Sequence, residues 1–456
     1  MKKELKKKKY MLLILSIFIV TTIGIFSYLC YKGIKLNNLK VMHHAVVTID
    51  KKNTDNNDVT HSTMARKTII QCLTVLIILT ALLLGFFALL YNFRAFWLWF
   101  ISISFSLLLC IGIIIIWYLE INSSSKPNSN IMRNDQDVEE FFSLHKKENP
   151  HMYVTEPHMI PVGFLFYSIE INKELVSLYA YPWLKKNTLK DSDINGHFFC
   201  MNALDEKMLW TSQRVHYNHT DDLSWQSQFK IHADFDYTKY PFDQQNITIL
   251  FEHEETLKKI ILIPDFIAYK WANTLYPPLA DSFNMSGWTI KNAYFFYELS
   301  DYPTDFGHRD YWQIKNFPFL AYTIHMQRQF MEPLLTGLIP IIIILFITFA
   351  CLLLLSNTAH NYNNIRLILA LLSSLFFASI LAYEMLQEVI LTPNITYLKS
   401  FYIITHIIIF LIAANTILYM YQYSKIISYG NNLIVRLLYW PITLTIFFAT
   451  TLLFFY

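Results

Sequence analysis

Histidines and carboxylates crowd the middle of the chain, where His216 and His219 are followed by His232, Glu252, His253 and Glu254. Such side chains are the usual ligands of a divalent transition metal. The spacing is weak for that chemistry, because His-any-any-His on a strand or turn puts the imidazoles on no fixed common face. No Gly-rich phosphate loop, activated nucleophile or paired acid and base stands out either. The pattern therefore argues against an enzyme and implies no metal and no cofactor. A second set of chemically able residues, Ser373, Glu384 and Glu388, lies in an apolar run. There an ionisable side chain is a functional candidate by default.

The chain that holds these residues belongs in a membrane. Of 456 residues, 54% are hydrophobic and 16% aromatic, outside the soluble globular norm. The net charge of +3 does not imply a nucleic-acid partner, since the basic residues bunch in the first ten positions and between Lys32 and Lys67. Crossing a hydrocarbon core takes about 20 helical residues. Runs of that order occur at 11–29, 68–90 and 96–118, then at 334–355, 365–390, 401–420 and 433–455. The first run reads as an uncleaved anchor, because Tyr28-Leu29-Cys30-Tyr31 lacks a small-residue cleavage pattern. A cytoplasmic lysine-rich start and three crossings put the polar middle outside, although the basic loop 32–67 opposes that topology.

Within the middle region, 126–330, the stretches 162–171, 175–184, 226–236, 246–253 and 319–328 read as strands separated by turn chemistry. No sustained helical periodicity is visible there, so an antiparallel β-sandwich is the economical expectation. Four of the five cysteines lie in or beside apolar runs, which leaves Cys200 alone and excludes a disulfide framework in this region.

The segment Phe235-Asp236-Tyr237-Thr238-Lys239-Tyr240-Pro241-Phe242-Asp243-Gln244-Gln245 resembles the signature loop of the pentameric ligand-gated ion channels, the Cys-loop receptor superfamily. That loop reads aromatic-Pro-aromatic-Asp-any-Gln, and a proline between two aromatics suits a rigid loop tip. The surrounding order is also similar: a strand pair joined at Asn172-Lys173-Glu174, then Gly287-Trp288, Arg328 before the membrane, Pro340 in the next helix, and the linker Thr392 to Tyr397. The likeness spans roughly 158–456. The three leading helices depart from the family, and the family's loop cysteines would align with Ala233 and Ile247, so the loop is open as in prokaryotic relatives. The Trp-any-Pro-Asp element of the family is not recognisable between Trp183 and Tyr240.

The resemblance implies a homopentamer in a bacterial inner membrane, each subunit pairing a periplasmic immunoglobulin-like β-sandwich with a four-helix transmembrane bundle. It places Asp243 near Arg328 and makes Asn172, Lys173, Glu174, Tyr240, Pro241, Phe242, Asp243, Arg328, Thr392 and Pro393 the coupling interface. A ligand between subunits, a small molecule, amine or proton, would meet the aromatic residues Tyr302, Tyr311 and Trp312, whose faces suit an amine. Helix 365–390 would line the pore. Counting back from Thr392-Pro393 selects Leu369, Ser373, Phe376, Ile380, Glu384 and Glu388; counting from Arg366 selects Ile368, Leu372, Leu375 and Ser379. Either stripe has an apolar middle that blocks ions by dewetting. The two glutamates favour cations as the permeant ions, whereas Asn363, Asn364 and Arg366 supply no acidic ring at the other mouth. A non-conducting receptor with the same architecture is the alternative.

Overall fold

A computed structural model describes residues 95–123, 131–154, 156–172, 174–187, 191, 194, 196–217, 220–255, 259–270, 276, 278–280, 283, 285–301, 315–357, 362–390, 394–420 and 432–456. The expected spans 11–29 and 68–90 lie outside these residues. The chain is a mixed β and helical protein that separates into two compact units. One comprises residues 124–333 with 390–392, and the other takes the remaining helical segments.

Among the described residues of the β unit, ten strands form two five-stranded sheets. They are β1 (Ile131–Met132), β2 (His158–Asn172), β3 (Leu175–Asn187), β4 (Phe198–Cys200), β5 (Ala203–Tyr217), β6 (Thr220–His232), β7 (Gln244–His253), β8 (Ile260–Pro264), β9 (Trp288–Ser300) and β10 (Phe317–Arg328). One sheet runs β1-β9-β10-β7-β4 and the other β5-β6-β3-β2-β8. β3 alternates strictly between buried and half-buried residues, the period-2 signature of a strand with one face in the core. β10 is buried along nearly its whole length between β9 and β7. Aromatic rings join the sheets: Phe164 of β2 lies 4.5 Å from Phe251 of β7 and 5.4 Å from Phe295 of β9, centroid to centroid. At Gly163 a Cβ would collide with the Trp183 indole, so the close passage of that ring requires glycine.

Two expectations for this unit are corrected. The sheets are not wholly antiparallel, because β8 pairs with β2 in parallel, His158 opposite Ile260. Nor is the region free of helix: α1 (Ala95–Ile121) belongs to the other unit, but α2 (Asp135–Glu148) lies in this one and leads into a 3-10 turn at Pro150–Tyr153. Local chemistry explains α2. Asn134 caps it by accepting from the Asp137 N–H at 2.8 Å, acidic residues open it, and His145, Lys146 and Lys147 close it in accord with the helix dipole. Its buried stripe, Val138, Phe142 and His145, follows helical spacing but is only three residues wide.

Among the described residues, the helical unit contains α1 and four later helices, α3 (Met331–Asn357), α4 (Tyr362–Val389), α5 (Tyr397–Met420) and α6 (Leu433–Phe455). All five are long and apolar enough to cross a membrane, which marks a multi-pass membrane protein. Ser102 of α1 donates to the Leu437 carbonyl at 2.6 Å, and Trp117 donates to the Tyr397 hydroxyl at 2.8 Å. The third leading run is thus an integral helix of this bundle, packed on α6. Tyr439 of α6 bonds the Leu345 carbonyl and Tyr402 of α5 bonds the Gly337 carbonyl, both at 2.8 Å. Such ties are well placed where neither water nor a hydrophobic drive holds helices together.

Candidate functional site

The loop from β6 to β7 ends in Asp243, which is 1% exposed. Arg328, the last residue of β10, grips its carboxylate with two hydrogen bonds: Nε to Oδ1 at 2.7 Å and Nη2 to Oδ2 at 3.0 Å. The Arg328 N–H adds a bond to the Asp243 carbonyl at 3.2 Å. This fork geometry is the strong form of an ion pair. The guanidinium carbon also stands 4.2 Å from the Trp288 ring centroid, 4.9 Å from Tyr240 and 5.8 Å from Tyr237. Those rings shield the pair from solvent and face a cation with their negative quadrupoles.

Gln245 closes the loop that carries Asp243. Its Nε2 donates to Asp243 Oδ2 at 2.9 Å and to the Asp236 carbonyl at 2.8 Å, while its Oε1 accepts from the Asp236 N–H at 3.0 Å. A side-chain amide therefore clasps the loop base beside Ala233 and Ile247, both buried. The Tyr240–Pro241 bond is cis. Burial pushes the Tyr240 phenol up to about 12 against the opposing pull of Arg328, and burial likewise raises Tyr237. Both rings are neutral cage walls at neutral pH. Phe242 is buried and its ring lies 5.7 Å from Phe330.

The β2–β3 turn reaches the same end of the sheets. The Ala233 N–H donates to the Glu174 carbonyl at 2.9 Å, and His232 Nε2 stands 3.8 Å from Glu174 Oε2 and 3.3 Å from Asp234 Oδ1. Asn172 pairs with Leu175 across the turn. The structure thus gathers Asn172, Glu174, Tyr240, Pro241, Phe242, Asp243 and Arg328 where β10 leaves the sheet. Lys173, Thr392 and Pro393 lie outside the described residues, as do Tyr302, Tyr311 and Trp312.

What the sequence reading missed is how the flanks of 302–314 are held. The Asn316 N–H donates to Asp301 Oδ1 at 2.7 Å, its Nδ2 donates to Asn149 Oδ1 at 3.0 Å, and its carbonyl lies 2.9 Å from His145 Nε2. A carbonyl only accepts, so Nε2 carries the proton, and Nδ1 accepts from the Tyr153 hydroxyl at 2.8 Å. Burial, the leading cause, lowers the His145 pKa and keeps the ring neutral. Asn316 adopts a positive φ of 56°, an asparagine-tolerant conformation that signals a turn in the sequence. His219 lies outside the described residues; among those described, no group of three or more histidines, cysteines and carboxylates is placed to hold a metal, and His216 pairs with Asp221 at 3.3 Å while His253 Nδ1 accepts from the Glu255 N–H at 3.1 Å.

On α4 one face is buried inside the bundle. Ile368, Leu372, Leu375 and Ser379, the stripe counted from Arg366, are 0–8% exposed in the single chain. Phe376 is also turned inward, its ring 5.4 Å from His406 of α5, and Leu369 and Ile380 are half-buried beside it. The opposite stripe, at the same helical spacing, is Ala370, Ser373, Phe377, Leu381, Glu384 and Glu388, all exposed in the single chain. The sequence obscured this rotation because α4 is apolar on nearly every side. Known protein families and curated proteins offer no match: no family model fits the chain, and no curated sequence is significantly similar to it.

Proposed function

We propose that the chain is one subunit of a homopentameric ligand-gated ion channel of a bacterial inner membrane. In this reading the β unit is a periplasmic, immunoglobulin-like ligand sensor and α4 lines the pore. Arg328 carries the reading. Its fork onto Asp243 and its aromatic cage fix the final residue of β10, and α3 begins at Met331. A rotation of the sheets is then passed along the chain into a membrane helix without a flexible linker. Ligand biases this two-state element only through its differential affinity for the open and closed forms. The ligand is a small molecule, an amine or the proton itself, and the permeant ions are cations.

The exposed stripe of α4 supplies the gate. Rings of five Phe377 and Leu381 side chains close the pore by dewetting, and rings of Glu384 and Glu388 concentrate cations at one mouth. A non-conducting receptor is the second reading, and the apolar length of that same stripe favours it.

Planar bilayers containing the purified protein separate the two. Discrete openings on stepping the pH or adding small amines, abolished in D243N and partly restored in the D243R/R328D double exchange, support the channel. Silence under every condition, persisting when Phe377 or Leu381 is replaced by Ser, overturns it in favour of the receptor.

A further inference from the structure

β9 is covered along only part of one edge. Ile131 and Met132 of β1 pair with Phe296 and Phe295, and among the described residues no other strand lies on that side of β9. The chain then turns away, since Asn134 caps α2 directly after Arg133. On the far side of the gap stand Phe266 and Tyr276, from the connection between β8 and β9. Phe266 packs edge-on against Phe295 at 5.8 Å, and the Tyr276 hydroxyl donates to the Lys291 carbonyl at 2.9 Å. These contacts hold the walls apart and leave a cavity of about 330 Å³, at the lower end of the range for small-molecule sites.

Two polar side chains line that cavity without partners of their own. Arg133 donates its backbone N–H to Asp137 Oδ2 at 2.9 Å, but among the described residues no carboxylate or carbonyl meets its guanidinium. The side-chain amide of Asn292, which is half-buried, likewise has no hydrogen bond among them. A guanidinium matches a carboxylate through its fork of N–H donors and repels an amine. Phe266 and Tyr276 offer flat faces beside these donors, so a bare inorganic anion would leave much of the lining uncontacted.

We propose that this groove binds a small organic carboxylate with a flat apolar body, of the size of benzoate, its charge held by Arg133 and Asn292 and its body against Phe266 and Tyr276. Residues 131–133 precede the part of the chain that resembles the channel family, so the site is additional to the ligand site of that reading. It stands whether or not α4 conducts.

The test is fluorine NMR of para-fluorobenzoate titrated into the full chain in phosphatidylcholine nanodiscs, with para-fluorobenzamide as the uncharged analogue and empty nanodiscs as the blank. Saturable line broadening by the carboxylate is expected, with the amide at least about tenfold weaker. R133Q should weaken the carboxylate about tenfold, the worth of a charged hydrogen bond, and leave the amide within twofold. Its melting temperature should match wild type, because the guanidinium has no partner to lose. R133K, which keeps the charge without the fork, should recover part of the affinity. Equal affinity of wild type and R133Q for para-fluorobenzoate would put binding elsewhere and overturn the site. Acetate binding as tightly as para-fluorobenzoate would mean that the aromatic walls take no part, and would overturn the ligand class. Broadening that never saturates, or that empty nanodiscs reproduce, would overturn the proposal outright.

Discussion

Gln245 meets the Asp243 carboxylate at 2.9 Å while Arg328 holds the same carboxylate from the other side, so a neutral amide completes the solvation of a buried charge. Both carboxylate oxygens are thereby satisfied at a site that is 1% exposed.

Replacing Arg328 by Ala therefore strands a buried carboxylate, and the expected loss is about 3–5 kcal/mol of stability in the β unit. The double exchange D243R/R328D should recover only part of it, because Gln245 Nε2 would then face a guanidinium and the aromatic cage would face a carboxylate. Chemical denaturation monitored by Trp fluorescence measures both.

Gln245→Leu removes three hydrogen bonds at the loop base and leaves the charge pair in place. The expected cost is about 1–3 kcal/mol, with the loop from Phe235 to Asp243 becoming more open to proteolysis or hydrogen exchange. Gln245→Glu should be worse, since a second carboxylate would approach Asp243.

Two glycines should respond differently to alanine. Gly163→Ala drives a methyl into the Trp183 indole, a rigid ring held by its Nε1 bond to Asp265 at 3.0 Å, and about 1–3 kcal/mol should be lost. Gly337→Ala meets only the tip of Leu398, a side chain able to move aside, and should cost less. Melting temperatures of the two variants provide the comparison.

His145 gives the β unit a pH dependence of fixed sign. Its folded pKa lies below the ordinary 6.5, so the unfolded chain binds the proton more readily. The His145 contribution is complete above about pH 6.5 and is lost as pH falls through the folded pKa. Protonating Nδ1 also removes the acceptor of the Tyr153 hydroxyl. Glu148 opposes the downward shift and His151 adds to it. The melting temperature of wild type should drop between pH 7.5 and 5.5, and His145→Gln, already less stable at pH 7.5, should show a shallower drop.

Glu384 and Glu388 are testable by conductance. In the proposed channel, neutralising both to Gln lowers single-channel cation conductance severalfold, more at low salt than at high salt where screening already masks the carboxylates. On the same proposal Phe377→Ser holds the pore open, whereas Phe376→Ser disturbs the packing on His406.

The sequence by itself determined the apolar spans, the long strands β2, β3, β6, β7 and β10, and the loop residues from Tyr240 to Asp243, because strand alternation, hydrocarbon thickness and turn chemistry are written into local residue order. Only the tertiary structure decided that Gln245 clasps the loop, that Trp288, Tyr240 and Tyr237 cage Arg328, and that Asn316 is tied to His145 of α2, 171 residues upstream. Those partners are far apart in the chain or are of a residue type that elsewhere does nothing. Folding also set the rotation of α4. A helix meeting lipid, its own bundle and its neighbours is apolar toward all three, so hydrophobicity gives no direction, and only packing against α5 turns Phe376 in and Phe377 out.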